Sequence, residues 1–159
     1  MRKIILLLFP VFIFLPACRE KECVDLNKEK EEVALVLEKY VIANEDQRID
    51  LVEDIWADDE KIVAIGTSSD DIFVGWKAIK NIIQKQFDTF SNTYISVSDQ
   101  KININKTGNT AWFSEIINYN FIRDSIPLSY EGIRYTGVLE KRDGKWVIVQ
   151  SHMSIPSND

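Results

Sequence analysis

The sequence predicts an α+β domain in which N-terminal helices pack on one face of a curved antiparallel sheet. Three observations carry that prediction. In the first half of the chain, apolar residues recur every three or four positions, the mark of a helix with one buried stripe. From residue 94 onward the period changes to two, as it does in strands. Two pairs of those strands are joined by short turn signals, Thr107-Gly108-Asn109 and Arg142-Asp143-Gly144, and Asp-Gly is among the strongest hairpin signals. Helices first and long antiparallel strands last is the α+β order.

Each element follows from its own residues. Residues 28–44 place Val33, Val36, Leu37, Tyr40 and Val41 on one stripe, and Asn44 suits a helix C-cap. Residues 48–56 form a short second helix through Ile49, Leu51, Val52, Ile55 and Trp56. A brief strand at 62–65 closes at Gly66, a polar turn follows at 67–71, and a second brief strand occupies 72–74. Residues 76–90 return to helical period with Trp76, Ile79, Ile82, Ile83, Phe87 and Phe90. Four long strands then run over 94–105, 110–122, 130–141 and 145–153. In the first of them Ile95 and Val97 share one parity, whereas Ile102 and Ile104 share the other. A β-bulge near Asp99 or Gln100 reconciles the two, and bulges bend sheets. A bent sheet under a layer of helices leaves a hollow.

The N-terminus reads as an export signal. Arg2 and Lys3 precede an uncharged run over 4–15, too short to span a bilayer and of signal-peptide length. Leu15-Pro16-Ala17-Cys18 then resembles the lipobox of bacterial lipoproteins, with Pro16 where a small or branched residue is usual. The resemblance implies that residues 1–17 are a signal peptide, that Cys18 is lipidated, and that residues 18–27 are a tether. The domain would then be anchored in the bacterial cell envelope, at the inner or the outer membrane, outside the cytoplasm. Losing residues 1–17 removes Arg2 and Lys3 and no acid, so the formal charge goes from −6 to −8. So acidic a domain is a poor nucleic-acid binder, since phosphate binding needs clustered Lys and Arg. Once Cys18 is acylated only Cys23 is left, which excludes a disulfide within the chain.

The domain occupies residues 28–156, ahead of a short tail at 157–159. Its terminal segment 134–154 contains Arg134-Tyr135-Thr136-Gly137-Val138-Leu139 and Trp146-Val147-Ile148-Val149-Gln150-Ser151-His152. It resembles the C-terminal signature of the nuclear transport factor 2-like superfamily, in particular its SnoaL-like branch. It is also similar to the association domain of calcium/calmodulin-dependent kinases. Ile65-Gly66-Thr67, Val74-Gly75-Trp76-Lys77-Ala78-Ile79 and Thr110-Ala111-Trp112 resemble the same branch. The resemblance implies a cone-shaped fold with a pocket at its open end and a homodimer joined through the sheet. It leaves function open, because members include isomerases, cyclases, hydrolases and non-catalytic binding or assembly domains.

Candidate site residues follow from strand parity. On the last strand Trp146, Ile148, Gln150, His152 and Ser154 alternate onto one face, apolar first and polar last. That suits a pocket wall, and equally a dimer face with a wet rim. Arg134 shares a face with Thr136 and Val138, while Glu115 and Tyr119 share one with Phe113 and Ile117. A charge among apolar neighbours needs a partner, so Arg134 pairs with Glu115 or awaits an anionic ligand. His152, the only histidine, is a candidate acid or base, against the alternative of a hydrogen-bonded structural histidine. Tyr40 lines the pocket, as a helix tyrosine does in catalytic relatives, or packs in the core; Trp56, Trp76 and Trp112 are read the same way. Asp58-Asp59-Glu60 and Asp70-Asp71 lack the ligand spacing of a calcium loop, one histidine is too few for a zinc site, and no nucleotide motif occurs. Neither a metal nor a cofactor is therefore expected. The favoured reading is a lipid-anchored binding or assembly module; the alternative is a cofactor-free isomerase, cyclase or hydrolase with His152 or Glu115 as general base.

Overall fold

The computed structural model describes residues 24–156; the signal peptide, Cys18, most of the tether and the tail at 157–159 lie outside the described residues. The elements in chain order are α1 (Leu26–Glu45), α2 (Ile49–Ile55), β1 (Val63–Ile65), β2 (Ile72–Val74), α3 (Trp76–Thr89), β3 (Phe90–Ile104), β4 (Thr110–Arg123), β5 (Ile126–Arg142) and β6 (Lys145–Ser154). Helix α1 starts where Asp25 accepts hydrogen bonds from the backbone N–H groups of Asn27 and Lys28, two donors that otherwise lack partners at a helix N-terminus. It buries Val33, Leu37, Tyr40, Ala43 and Asn44. Asn44 is not a cap: the helix continues to Glu45, and Asp46 closes it by donating to the Ile42 carbonyl. The first turn of α1 is clamped to the sheet. Glu29 accepts from Lys141 Nζ at 2.6 Å and from Trp146 Nε1 at 2.7 Å, and Glu32 accepts from the same lysine at 3.0 Å.

The strands form one six-stranded sheet in the order β2-β1-β6-β5-β4-β3. It is mixed rather than wholly antiparallel, because β1 runs parallel to β6, with Val63 opposite Gln150 and Ile65 opposite His152. A parallel pair needs a long crossover, and the whole passage from β2 to β5 supplies it. The expected β3 bulge is present. The register with β4 shifts between Ser98 and Lys101, and Asp99 takes a φ of 52°. That shift carries Ile95 and Ile102 onto the same, buried side despite their opposite parity. Further shifts between Ile117 and Tyr119 and between Val138 and Leu139 add to the bend. The concave side presents Ala111, Phe113, Ile117, Tyr119 and Phe121 of β4, Ile133, Tyr135 and Leu139 of β5, and Ile148 of β6 to α1, α2 and α3. The helices cover this face and leave the other to solvent, which makes the cone.

The last shift corrects one expectation. Val138 pairs with Gln150, but Leu139 pairs with Ile148, so Val149 is an extra residue in β6. A bulge exchanges the faces of everything beyond it. Trp146 and Ile148 are buried in the core, whereas Gln150 and His152 are exposed on the convex face.

Candidate functional site

Concave and convex faces divide the predicted site residues into two groups. Glu115, Tyr119 and Tyr40 lie inside the cone. Arg134, Gln150 and His152 lie on the convex face, exposed. Arg134 pairs in register with Ile116 and donates from Nη2 to the Ile155 carbonyl at 3.2 Å. The Arg134–Glu115 ion pair does not form, because adjacent strand positions send the two side chains to opposite faces. Beside Arg134 and His152, the convex face shows Trp112, 48% exposed, and the half-buried Ile116 and Val138.

Inside the cone the polar groups form two clusters. The first is closed. Tyr119 Oη accepts from Gln86 Nε2 at 3.0 Å and donates to Asn44 Oδ1 at 3.2 Å, while Asn44 Nδ2 donates to the Tyr40 carbonyl at 2.8 Å. Every member has a partner, and the chain of bonds ties β4 to α3 and α1. Burial holds the Tyr119 hydroxyl well above its ordinary pKa, so it stays a neutral donor.

The second cluster is open. Glu115 is 3% exposed. Its Oε2 accepts from Gln100 Nε2 at 2.8 Å, while Oε1 has no hydrogen-bond partner. Directly across the strand pair stands Tyr135, fully buried, with an Oη that also lacks a partner. The Tyr135 ring packs against Tyr40 at a centroid distance of 4.9 Å and meets Phe113 edge-on at the same distance. Burial raises the Glu115 pKa and outweighs the opposing pull of the Gln100 bond. Burial also raises Tyr135, with the Glu115 carboxyl adding to it, against a smaller opposing pull from the neighbouring Ser151 and Tyr40 hydroxyls, neither of which reaches hydrogen-bond geometry with its Oη. Tyr40 is raised by burial first, then by Tyr135, Tyr119 and Glu115. Unpaired polar groups in a dry interior are costly, and each such group calls for an explanation. Two of them here belong to the cross-strand partners Glu115 and Tyr135; a third, Trp56 Nε1, lies in the core among the described residues.

Two clefts flank α1. One, of about 350 Å³, lies between α1 and β3 and is lined by Ala34, Leu37, Val41, Val97, Glu38 and Gln100. The other, of about 230 Å³, lies between α1, α2 and the β5–β6 turn, where Lys39 and Lys145 both pair with Asp54. The acidic runs are engaged locally: Asp59 pairs with Arg142 at 2.9 Å, and Asp71 accepts from the Ser68 backbone N–H at 3.1 Å. Of the tryptophans, Trp56 is core and Trp112 is on the surface.

Sequence reasoning overlooked Tyr135, Gln100, Asn44 and Gln86. Tyr135 had a usable signal, since Ile133, Tyr135 and Leu139 form the apolar parity of β5, which marks the buried side. Gln100 had none, because its approach to Glu115 depends on the bulge geometry.

A cone of this kind with polar groups at its heart defines a class, the nuclear transport factor 2-like fold. Residues 33–158 match the family model of the SnoaL-like domain, and the chain belongs to that family. No match is found among curated proteins. Several solved structures are similar. A nuclear transport factor 2-like superfamily protein from Salmonella enterica shares 19% identity over 83% of this chain and 94% of that one, with a TM-score of 0.75. A candidate calcium/calmodulin-dependent protein kinase II association domain from Xanthomonas campestris shares 22% over 80% and 88%, with a TM-score of 0.68. A candidate dehydratase from Streptomyces avermitilis shares 14% over 82% and 99%, with a TM-score of 0.72.

Proposed function

We propose that this protein is a lipid-anchored, exported small-molecule-binding module whose site is the interior of the cone around Glu115 and Tyr135. The observation that carries the reading is the pair of unpartnered polar atoms, Glu115 Oε1 and Tyr135 Oη, on residues paired across neighbouring strands inside the cone. A ligand that bonds to both satisfies two buried groups that have no partner within the fold. Arg134, Gln150 and His152 stand on the other face, so the ligand is not held by an arginine and need not be an anion. Cys18 supplies the anchor, and the convex face supplies the surface for a homodimer, with Trp112, Ile116 and Val138 at its centre and Arg134, Gln150 and His152 around them.

A second reading is cofactor-free proton transfer. A buried carboxyl of raised pKa next to a tyrosine hydroxyl is a base beside an oxyanion donor. Of the two candidate bases, only Glu115 is inside the cone. The Streptomyces relative's name is in keeping with such chemistry.

Native mass spectrometry of the purified chain tests both. Binding predicts a defined extra mass on the wild type that is absent from Glu115→Leu. No retained mass on any preparation, including one made in the native envelope, counts against the site. Returning the recovered molecule to fresh protein separates the readings: an unchanged molecule means binding, and conversion that stops in Glu115→Gln means catalysis.

A further inference from the structure

We propose that the α1–β3 cleft is the mouth of the Glu115 site, that Gln100 is the latch between them, and that the molecule admitted is neutral and largely apolar with one hydroxyl group. The proposal rests on the binding reading above and adds the route and the ligand class.

Gln100 belongs to both places. It lines the cleft together with Ala34, Leu37, Val41 and Val97, and its amide is the hydrogen-bond partner of Glu115 at 2.8 Å. It follows directly on Asp99, whose φ of 52° marks the bulge that interrupts the β3–β4 ladder. The residue as a whole is exposed although its amide reaches a buried carboxyl. Such a side chain can swing toward solvent by giving up one hydrogen bond, with no core residue displaced. What the swing uncovers is the carboxyl, and with it the route to Tyr135.

The ligand class follows from the walls and the floor. Most of the walls are aliphatic, and the one charge among the lining residues is Glu38. An anion would meet Glu38 first and Glu115 afterwards, with no Lys or Arg among the lining residues to offset them. A hydroxyl donates its proton to Glu115 Oε1 and accepts the Tyr135 proton on its own oxygen, so both unpartnered groups are satisfied by one atom. An ammonium donates but has no lone pair for Tyr135. A pure hydrocarbon satisfies neither.

Fluorescence titration with 2-naphthol tests the proposal, using the exported chain from residue 18 onward with Cys18→Ser and Cys23→Ser. Naphthalene, 2-naphthoate and 2-naphthylmethylamine serve as the hydroxyl-free, anionic and cationic comparisons. The expected result is 2-naphthol binding at least 10-fold tighter than each of the three. Glu115→Leu is expected to erase the preference over naphthalene, and Val97→Trp, which fills the cleft, to weaken 2-naphthol at least 10-fold. If Glu115→Leu erases the preference while Val97→Trp has no effect, the interior site stands and the cleft route is overturned. If the wild type holds naphthalene as tightly as 2-naphthol, the hydroxyl class is overturned. A Tyr135→Cys variant, which leaves the Gln100–Glu115 bond in place, gives a readout that needs no ligand. Its labelling by N-ethylmaleimide is expected to accelerate at least 5-fold when Gln100→Ala is added. Equal labelling rates with and without that change overturn the latch, and no binding of any probe together with no labelling in either background overturns the interior site as well.

Discussion

Among the described residues Glu115 has the one carboxyl buried in the core, and its pKa shift sets a sign for stability. The folded-state pKa is raised by burial. The folded protein therefore binds the proton more tightly than the unfolded chain does, and the group costs stability once pH rises above the unfolded value. Below that value the cost is absent. Glu115→Gln keeps an acceptor for Gln100 and removes the charge, so its urea midpoint relative to wild type is expected to improve as pH rises above the unfolded carboxyl's pKa and to level off above the folded one. A pH-independent difference would mean that the carboxyl titrates alike in the folded and unfolded states, so that burial does not raise its pKa. Tyr135→Phe removes a buried hydroxyl with no partner, and its melting temperature is expected to match or exceed that of wild type, the gain reaching about 1 kcal/mol. A loss of that size would mean that the hydroxyl is bonded in solution. At this scale the sequence was half legible. Alternation along β4 placed Glu115 and Tyr119 correctly among Phe113 and Ile117. It could not show that Arg134 faces the other way, because a lone charge between Tyr135 and Ile133 looks the same whichever side is buried.

Among the elements, β5 and β6 carry the tightest constraint. At Gly137 an added Cβ would stand 2.5 Å from the Gln150 carbonyl oxygen and 2.7 Å from Phe113 Cε1. A backbone oxygen cannot rotate aside, so Gly137→Ala is expected to destabilise the domain by about 3 kcal/mol, read as a drop in urea midpoint at unchanged slope. The two bulges show what periodicity can and cannot reveal. In β3 the apolar residues change parity on either side of Asp99, so the bulge was visible before the structure. In β6 the run Val147-Ile148-Val149 is apolar on both parities, and nothing in it marks Val149 as the extra residue. That hidden bulge moved Gln150 and His152 from the expected pocket to the convex face. The parallel pairing of β1 was equally hidden, because three residues carry no orientation in their pattern.

For the whole molecule, the α+β order and the family were legible because the helical period, the strand period and the terminal signature agree. Oligomeric state is tested on the convex face. Trp112→Arg is expected to convert a dimer to a monomer in light scattering while leaving the far-ultraviolet circular dichroism unchanged; a monomeric wild type would rule out the dimer. Anchoring is tested at Cys18, where Cys18→Ser is expected to abolish incorporation of an alkyne-tagged fatty acid and to move the protein from the membrane fraction to the soluble one.

The packing of Val24 sets how an anchored molecule is held. Val24 packs over Gly108, where its Cγ1 would meet any added Cβ, so the chain enters the domain pressed against the β3–β4 turn, with Asp25 starting α1 immediately after. Six peptide units separate Cys18 from Val24, a reach of at most about 20 Å. On the proposed anchoring through Cys18, that turn would be the pole nearest the lipid. The β4–β5 turn, at the far end of a 14-residue strand, stands about 45 Å further out. So short a leash would confer an attitude as well as an address: an anchored cone would have a lipid-side pole and a distal pole, and a partner arriving from the aqueous side would meet the distal one first.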